Sequence, residues 1–192
     1  MELRSLGDKE FDSLYPIKIR KVSGTHWTPV NVAKAAISFL NEAGGRAVMD
    51  LGSGVGKFCL VAASNSDAQL TGVENRENLV QLARKLATSL QVEDVNFIHE
   101  DMSNVDFRDY DGFYFFNSFE ENINLADRLD KESQIDFELY SHYIIQIRDK
   151  LEALPKHTRI VTYCGSAREI PNCYRLVKSG SKGKLRFWER KG

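Results

Sequence analysis

The stretch Arg46-Ala-Val-Met-Asp-Leu-Gly-Ser-Gly-Val-Gly-Lys-Phe58 restricts this chain to very few folds. Ala47, Val48 and Met49 form the short apolar run expected of a strand covered on both faces, and the run ends at an acid, Asp50. Gly52, Gly54 and Gly56 follow at alternate positions, where the backbone must turn tightly and a ligand can approach it closely. A helix is expected to begin near Val55, with its unpaired N–H groups facing that ligand. A strand, a glycine turn and a helix in this order are the start of an α/β unit with a parallel sheet.

The spacing of the turn narrows the ligand. A dinucleotide fold prefers G-x-G-x-x-G with room for a pyrophosphate. Here the glycines alternate, and Lys57 stands where that pattern wants its third glycine. A carboxylate beside the loop repels a pyrophosphate and suits a ligand that carries positive charge. The segment resembles the first motif of the class I S-adenosylmethionine-dependent methyltransferases, in which Asp50, Gly52, Ser53, Gly54 and Gly56 would surround the amino-acid end of S-adenosyl-L-methionine.

The order of later strand ends strengthens the resemblance. Gln69-Leu-Thr-Gly-Val-Glu74 is a second strand ending in an acid about twenty residues past the loop, where a ribose needs a carboxylate to accept its hydroxyl hydrogens. Glu74 is similar to the family's second motif. Val95-Asn-Phe-Ile-His99 leads into Glu100-Asp101-Met102, similar to the third motif. The resemblance implies that Asp101 accepts from the adenine amino group, that the Met102 N–H reaches a ring nitrogen, and that the Met102 side chain packs on the ring. Tyr110-Asp-Gly-Phe-Tyr-Phe-Phe116 is a fourth strand that delivers Asn117-Ser-Phe-Glu-Glu121.

In the family this strand end faces the departing methyl group. The chain keeps an asparagine and an aromatic there but has neither proline of the Pro-Pro-Tyr pattern, and it also resembles the Asn-Asn-Phe version of the seven-strand histone-lysine methyltransferases. A side-chain carbonyl at Asn117 can orient an N–H so that the nitrogen lone pair meets the methyl, beside an aromatic wall that favours the sulfonium. Glu120 can take the proton, and Asn117 and Glu120 are the expected catalytic pair. A nitrogen acceptor is the expectation, with the missing prolines leaving oxygen and carbon open.

Upstream, Ser23-Gly-Thr-His-Trp-Thr-Pro29 leads into a helix striped by Ala33, Ala36, Ile37 and Leu40 and ended by Gly44-Gly45. Thr28 is expected as the N-cap and Pro29 as the first helical residue. In several methyltransferase families a Thr-Pro turn lies over the methionine end of the cofactor, so the resemblance puts Thr28 at the cofactor. Trp27 reads equally as a hydrophobic staple at the helix entry. Residues 1–27, with Phe11, Leu14, Tyr15, Ile17 and Ile19 as anchors, form a cap over the core or part of a substrate lid.

Ser133-x-x-Asp136 reads as the start of a long helix striped by Ile135, Leu139, Tyr143, Ile147, Leu151 and Leu154. Arg159–Cys164 is a fifth strand, and Tyr174–Lys178 with Lys184–Glu189 a closing hairpin. The expected fold is therefore α/β: a three-layer αβα sandwich with a seven-stranded, mostly parallel sheet and a C-terminal antiparallel hairpin. It is one domain, with residues 28–192 as the cofactor-binding core.

Composition excludes several other classes. The formal net charge is −1 over 192 residues, which argues against a broad nucleic-acid footprint and favours a small molecule or protein as methyl acceptor. The basic residues of the hairpin, Arg175, Lys178, Lys182, Lys184, Arg186, Arg190 and Lys191, read as the charge guard of a sheet edge. The charged first ten residues are unlike a signal peptide, and no apolar run approaches membrane-spanning length. Cys59, Cys164 and Cys173 read as buried free thiols in a reducing cytoplasm. The four histidines show no metal-ligand spacing, so no metal is expected. Two rival readings stay open: a methyltransferase-like module that holds the cofactor or a partner without turnover, and a nicotinamide-dependent oxidoreductase. The sequence carries no signal for oligomeric state or for the identity of the acceptor.

Overall fold

The computed structural model describes residues 3–21, 23–42, 44, 46–116, 137–165 and 168–192. Three short helices, α1 (Asp8–Asp12), α2 (Ile17–Arg20) and α3 (Ser23–His26), precede the longer α4 (Val30–Leu40). Then follow β1 (Ala47–Leu51), α5 (Lys57–Ala63), β2 (Gln69–Glu74), α6 (Glu77–Leu90), β3 (Val95–His99), β4 (Gly112–Phe116), α7 (Phe137–Glu152), β5 (Arg159–Tyr163), β6 (Tyr174–Gly180) and β7 (Leu185–Arg190).

These strands form a seven-stranded sheet in the order β3-β2-β1-β4-β5-β7-β6. The first five run parallel, and β7 lies antiparallel between β5 and β6. The expected sheet and its closing hairpin are both present. The hairpin strands run two residues and one residue further than the sequence pattern marks, with a bulge between Leu176 and Lys178.

Strand alternation sorts the core into two layers. Val48, Leu70, Phe97, Tyr114 and Val161 face α4, α5 and α6, whose Ala36, Leu40, Leu60 and Ala83 are buried against them. Met49, Leu51, Val73, Phe113, Phe115 and Ile160 face the opposite side, where Ile147, Leu151 and Leu154 cover them. Ser133 to Asp136, where the sequence pattern starts this helix, lie outside the described residues.

Chain order reverses between β1 and β4: from β1 the sheet grows one way through β2 and β3, and from β4 the other way through β5. In open α/β sheets such a reversal leaves a crevice at the carboxyl ends of the two neighbouring strands. Asp50, on β1, and Phe116, the last residue of β4, flank it.

The N-terminal segment is built into the first layer. Phe11 and Tyr15 are buried in it, while Ile17 is exposed. Lys57 is buried at the start of α5 and pairs with Asp8 at 2.7 Å and Asp12 at 2.6 Å, both on α1. Asp8 also accepts the Val30 N–H at 2.9 Å, so it caps α4 from a distance. The sequence assigned that capping role to Thr28. Instead Pro29 is the extended residue before the helix, and the buried Thr28 hydroxyl bonds the Tyr114 hydroxyl at 2.9 Å. A buried phenol needs a polar partner, and that need outweighs the capping preference. Of the three free thiols only Cys59 is buried; Cys164, just after β5, and Cys173, just before β6, are half-buried.

Candidate functional site

A cleft of about 120 Å³ opens at the crevice between β1 and β4. Asp50 and the turn residues Gly52 to Val55 line it together with Lys57 and Phe58 of α5, the His26-Trp27-Thr28 segment, and Ile19, Arg76, Leu79 and Phe116. The sequence brought the glycine turn, Asp50 and the Trp27-Thr28 turn to one place, and the structure joins them.

The turn is held from behind. Gly52 and Ser53 N–H both donate to the Val73 carbonyl at 2.9 Å, and Gly56 N–H donates to Ser53 O at 2.8 Å. Gly54 and Gly56 have φ of +53° and +79°, in the left-handed region. They differ in what lies beside them. A Cβ on Gly54 would meet nothing within 4 Å, so this face of the turn is open to a ligand. A Cβ on Gly56 would lie 2.5 Å from the Phe97 ring, so this glycine serves helix–sheet packing. Ser53 Oγ is buried without a hydrogen-bond partner among the described residues.

Asp50 is 3 % exposed. Burial pushes its carboxyl from the ordinary 3.8 up to about 7, against a lowering from the Cys59 thiol, whose Sγ lies 3.5 Å from Oδ2; the charge of Glu74 pushes in the same direction as burial. Burial, and then Asp50 itself, push the Cys59 thiol up in turn. A carboxyl so poised gains most from a cation placed beside it.

Glu74 stands behind the turn, 3 % exposed, and is fully engaged. Its Oε2 accepts the Gly54 N–H at 2.9 Å and Arg76 Nη2 at 3.0 Å. Its Oε1 accepts the Arg76 N–H at 3.0 Å and Arg76 Nε at 2.8 Å. Lys57 lines the cleft but its charge is spent on Asp8 and Asp12, with the Trp27 ring 5.8 Å away. Trp27 in turn packs on Tyr15 at a centroid distance of 4.5 Å.

Asp101 and Met102 do not line this cleft. Asp101 lies just past β3 and accepts from Ser103 N–H at 2.8 Å, Ser103 Oγ at 2.6 Å and Tyr143 Oη, on α7, at 2.6 Å. Partial burial pushes its carboxyl up, but the bonds from Ser103 and Tyr143 outweigh this and hold it below the ordinary carboxylate range. Met102 packs against the core on the α7 side of the sheet. Asn117 and Glu120 lie outside the described residues. Sequence reasoning missed Arg76, although an arginine two residues past a strand-end acid is a local signal that a fork could close on that acid.

A methyltransferase domain family matches residues 42–154 of this chain, well over half of it. A 23S rRNA (uracil(1939)-C(5))-methyltransferase RlmD from Shewanella sediminis is 33% identical over 110 residues, which cover 53% of this chain and 25% of the relative. The chain therefore aligns with only about a quarter of the length of that curated relative. Among solved structures, TrmN from Thermus thermophilus superimposes with a TM-score of 0.60 at 18% identity, over 88% of this chain and 51% of TrmN. An RNA methyltransferase from Salinibacter ruber, in complex with S-adenosyl-L-homocysteine, superimposes with a TM-score of 0.56 at 23% identity, over 85% of this chain and 92% of that one. At these identities the two structures show a shared fold. The family match runs through the glycine turn, the strand-end acids and the first four parallel strands, and by it this chain belongs to the S-adenosylmethionine-dependent methyltransferases of the class I, Rossmann-like fold.

Proposed function

We propose that this chain transfers a methyl group from S-adenosyl-L-methionine to a nitrogen on a small-molecule or protein acceptor. The observation that carries the donor assignment is the open face of the glycine turn at Gly54, set beside a buried carboxyl at Asp50 and at the point where strand order reverses. The donor set fits this cofactor in three ways. Asp50 favours a positively charged group rather than a phosphate. Ser53 Oγ is a buried polar atom that a ligand can satisfy. Lys57, the one lysine among the described residues that line the cleft, is already paired with two aspartates and so does not make a phosphate cradle.

In this reading Asp50, Ser53 and Gly54 hold the amino-acid end, Gly52 and Gly56 shape the turn, Thr28 and Trp27 close over it, and Glu74 takes the ribose. Asp101 and Met102, which stand past β3 and outside the cleft, are the proposed contacts of the adenine that extends beyond it. Bound there, S-adenosyl-L-methionine supplies a methyl group on a positively charged sulfur, already activated for displacement. The protein positions, excludes water and removes a proton. Trp27, Phe58 and Phe116 give the cleft apolar walls. With the donor held there, Asn117 would accept from the acceptor N–H and so aim the nitrogen lone pair at the methyl, and Glu120 would take the proton that the nitrogen loses.

The near-neutral net charge supports an acceptor other than nucleic acid. The RlmD relative is named for action on a uracil carbon of ribosomal RNA, so RNA is the competing acceptor class. The test is transfer of radioactive methyl from the cofactor into fractionated lysate. Label in the small-molecule or protein fraction, on nitrogen, is expected. Label in RNA would overturn the acceptor assignment and leave the donor assignment standing, and no label in any fraction would favour a binding module without turnover.

A further inference from the structure

We infer that Arg76 occupies the seat of the cofactor's ribose and must leave it for the nucleoside to enter, so that this arginine sets how tightly the chain holds its cofactor. The inference rests on the assignment of Glu74 as ribose acceptor made above.

A carboxylate offers about four lone-pair sites, two on each oxygen. In this structure all four of Glu74 are taken. Each oxygen accepts one backbone N–H, from Gly54 or from Arg76, and one N–H of the Arg76 guanidinium. The backbone pair belongs to the fold, because one donor sits in the glycine turn and the other is the residue that caps α6. The side-chain pair does not. The Arg76 side chain is 33 % exposed, while that of Glu74 is 2 % exposed, so the guanidinium has a path to water and the carboxylate has none. Withdrawal of the fork frees one site on each oxygen. A ribose cis-diol brings two O–H donors, which matches the two vacated sites in number and spacing on one carboxylate.

The size of the cleft points the same way. It measures about 120 Å³, and Arg76 and Leu79 bound it on the side of Glu74. Pockets that enclose a ligand of this size run to roughly 300–1,000 Å³. The cleft between the described residues falls short of that range, and the partly exposed guanidinium is a group on that side that can swing toward water.

The consequence is a reversal of the usual sign. Arg76 stabilises the ligand-free protein by satisfying a buried charge, and it competes with ligand. Its removal should therefore destabilise the free protein and tighten binding. Charge-assisted hydrogen bonds of this kind set the gain at about tenfold in affinity.

The experiment is calorimetric titration of S-adenosyl-L-homocysteine, and of its 2′,3′-dideoxy analogue, into the wild type, Arg76→Met and Glu74→Ala, with the thermal midpoint of each free protein recorded. Expected are a lowered midpoint for Arg76→Met, about tenfold tighter binding of S-adenosyl-L-homocysteine, loss of that gain with the dideoxy analogue, and weaker binding by Glu74→Ala. Equal or weaker binding by Arg76→Met, with Glu74→Ala still weakened, overturns the inference and leaves the ribose assignment intact. A gain that persists with the dideoxy analogue overturns it as well. Unchanged affinity in Glu74→Ala overturns the ribose assignment and the inference with it. If Arg76→Met does not fold, Arg76→Lys, which keeps the charge and loses the fork, should bind several-fold tighter than wild type, and equal or weaker binding there is decisive against the inference.

Discussion

Asp50 should make the free protein less stable as the pH rises through neutrality. Its carboxyl is buried, and its pKa in the folded chain is about 7 against 3.8 for the ordinary group. The folded state therefore holds the Asp50 proton over a window, about pH 4 to 7, in which the unfolded state has released it. Stability falls wherever the folded state binds more protons, so it declines across this window and levels off above pH 7. The full decline is about 4 kcal/mol at 1.36 kcal/mol per pKa unit, and about 2.5 kcal/mol of it falls between pH 5 and pH 8. Asp50→Asn keeps the shape and removes the titration. Urea unfolding of both proteins at pH 5 and pH 8 gives the double difference, which cancels the contribution of every other group. The wild type should lose about 2.5 kcal/mol more than Asp50→Asn between the two values. Equal losses would refute the reasoning, because they would show that Asp50 is solvated or paired in the folded chain.

The two inner glycines of the turn should separate binding from folding. Gly54→Ala pays only for a left-handed backbone, about 1 kcal/mol, and should stay folded while losing cofactor affinity in a calorimetric titration. Gly56→Ala adds a clash with Phe97 worth roughly 1–3 kcal/mol more, which should appear as a lowered denaturation midpoint. Asp8→Ala combined with Asp12→Ala leaves the buried Lys57 ammonium without a partner on α1 and should cost about 3 kcal/mol in urea unfolding, with cofactor affinity falling as the Trp27 wall loosens. Tyr114→Phe leaves the buried Thr28 hydroxyl without its partner and should cost about 1–2 kcal/mol, measured the same way.

Much of the sheet was legible because its signals are local. β1 and β4 carry apolar runs, β2 ends at an acid, and the hairpin is marked by Ser179-Gly-Ser-Lys-Gly183 between two strand-like segments. The floor of the cleft was legible for the same reason, since Asp50 and the glycines are neighbours in sequence. Its walls and supports were less so. The pairing of Lys57 with Asp8 and Asp12 joins residues more than forty positions apart, and no spacing rule announces it. Ile19, on α2, reaches the cleft from a segment whose own spacing does not announce it. Thr28 shows a local preference overruled by a distant need: its hydroxyl answers Tyr114, and the helix end is capped by Asp8. For Asp101 the motif gave the strand end, while its hydrogen bond to Tyr143 on α7 depends on how the second helical layer packs.

The central claim is that the glycine turn and the acids beside it bind S-adenosyl-L-methionine. Side-by-side calorimetric titration of S-adenosyl-L-methionine and NAD into the wild type and Asp50→Ala tests it most directly. The account predicts saturable binding of S-adenosyl-L-methionine to the wild type, about tenfold weaker binding to a folded Asp50→Ala, and no binding of NAD by either. Binding of NAD without S-adenosyl-L-methionine, or the same affinity for S-adenosyl-L-methionine in both proteins, would contradict it.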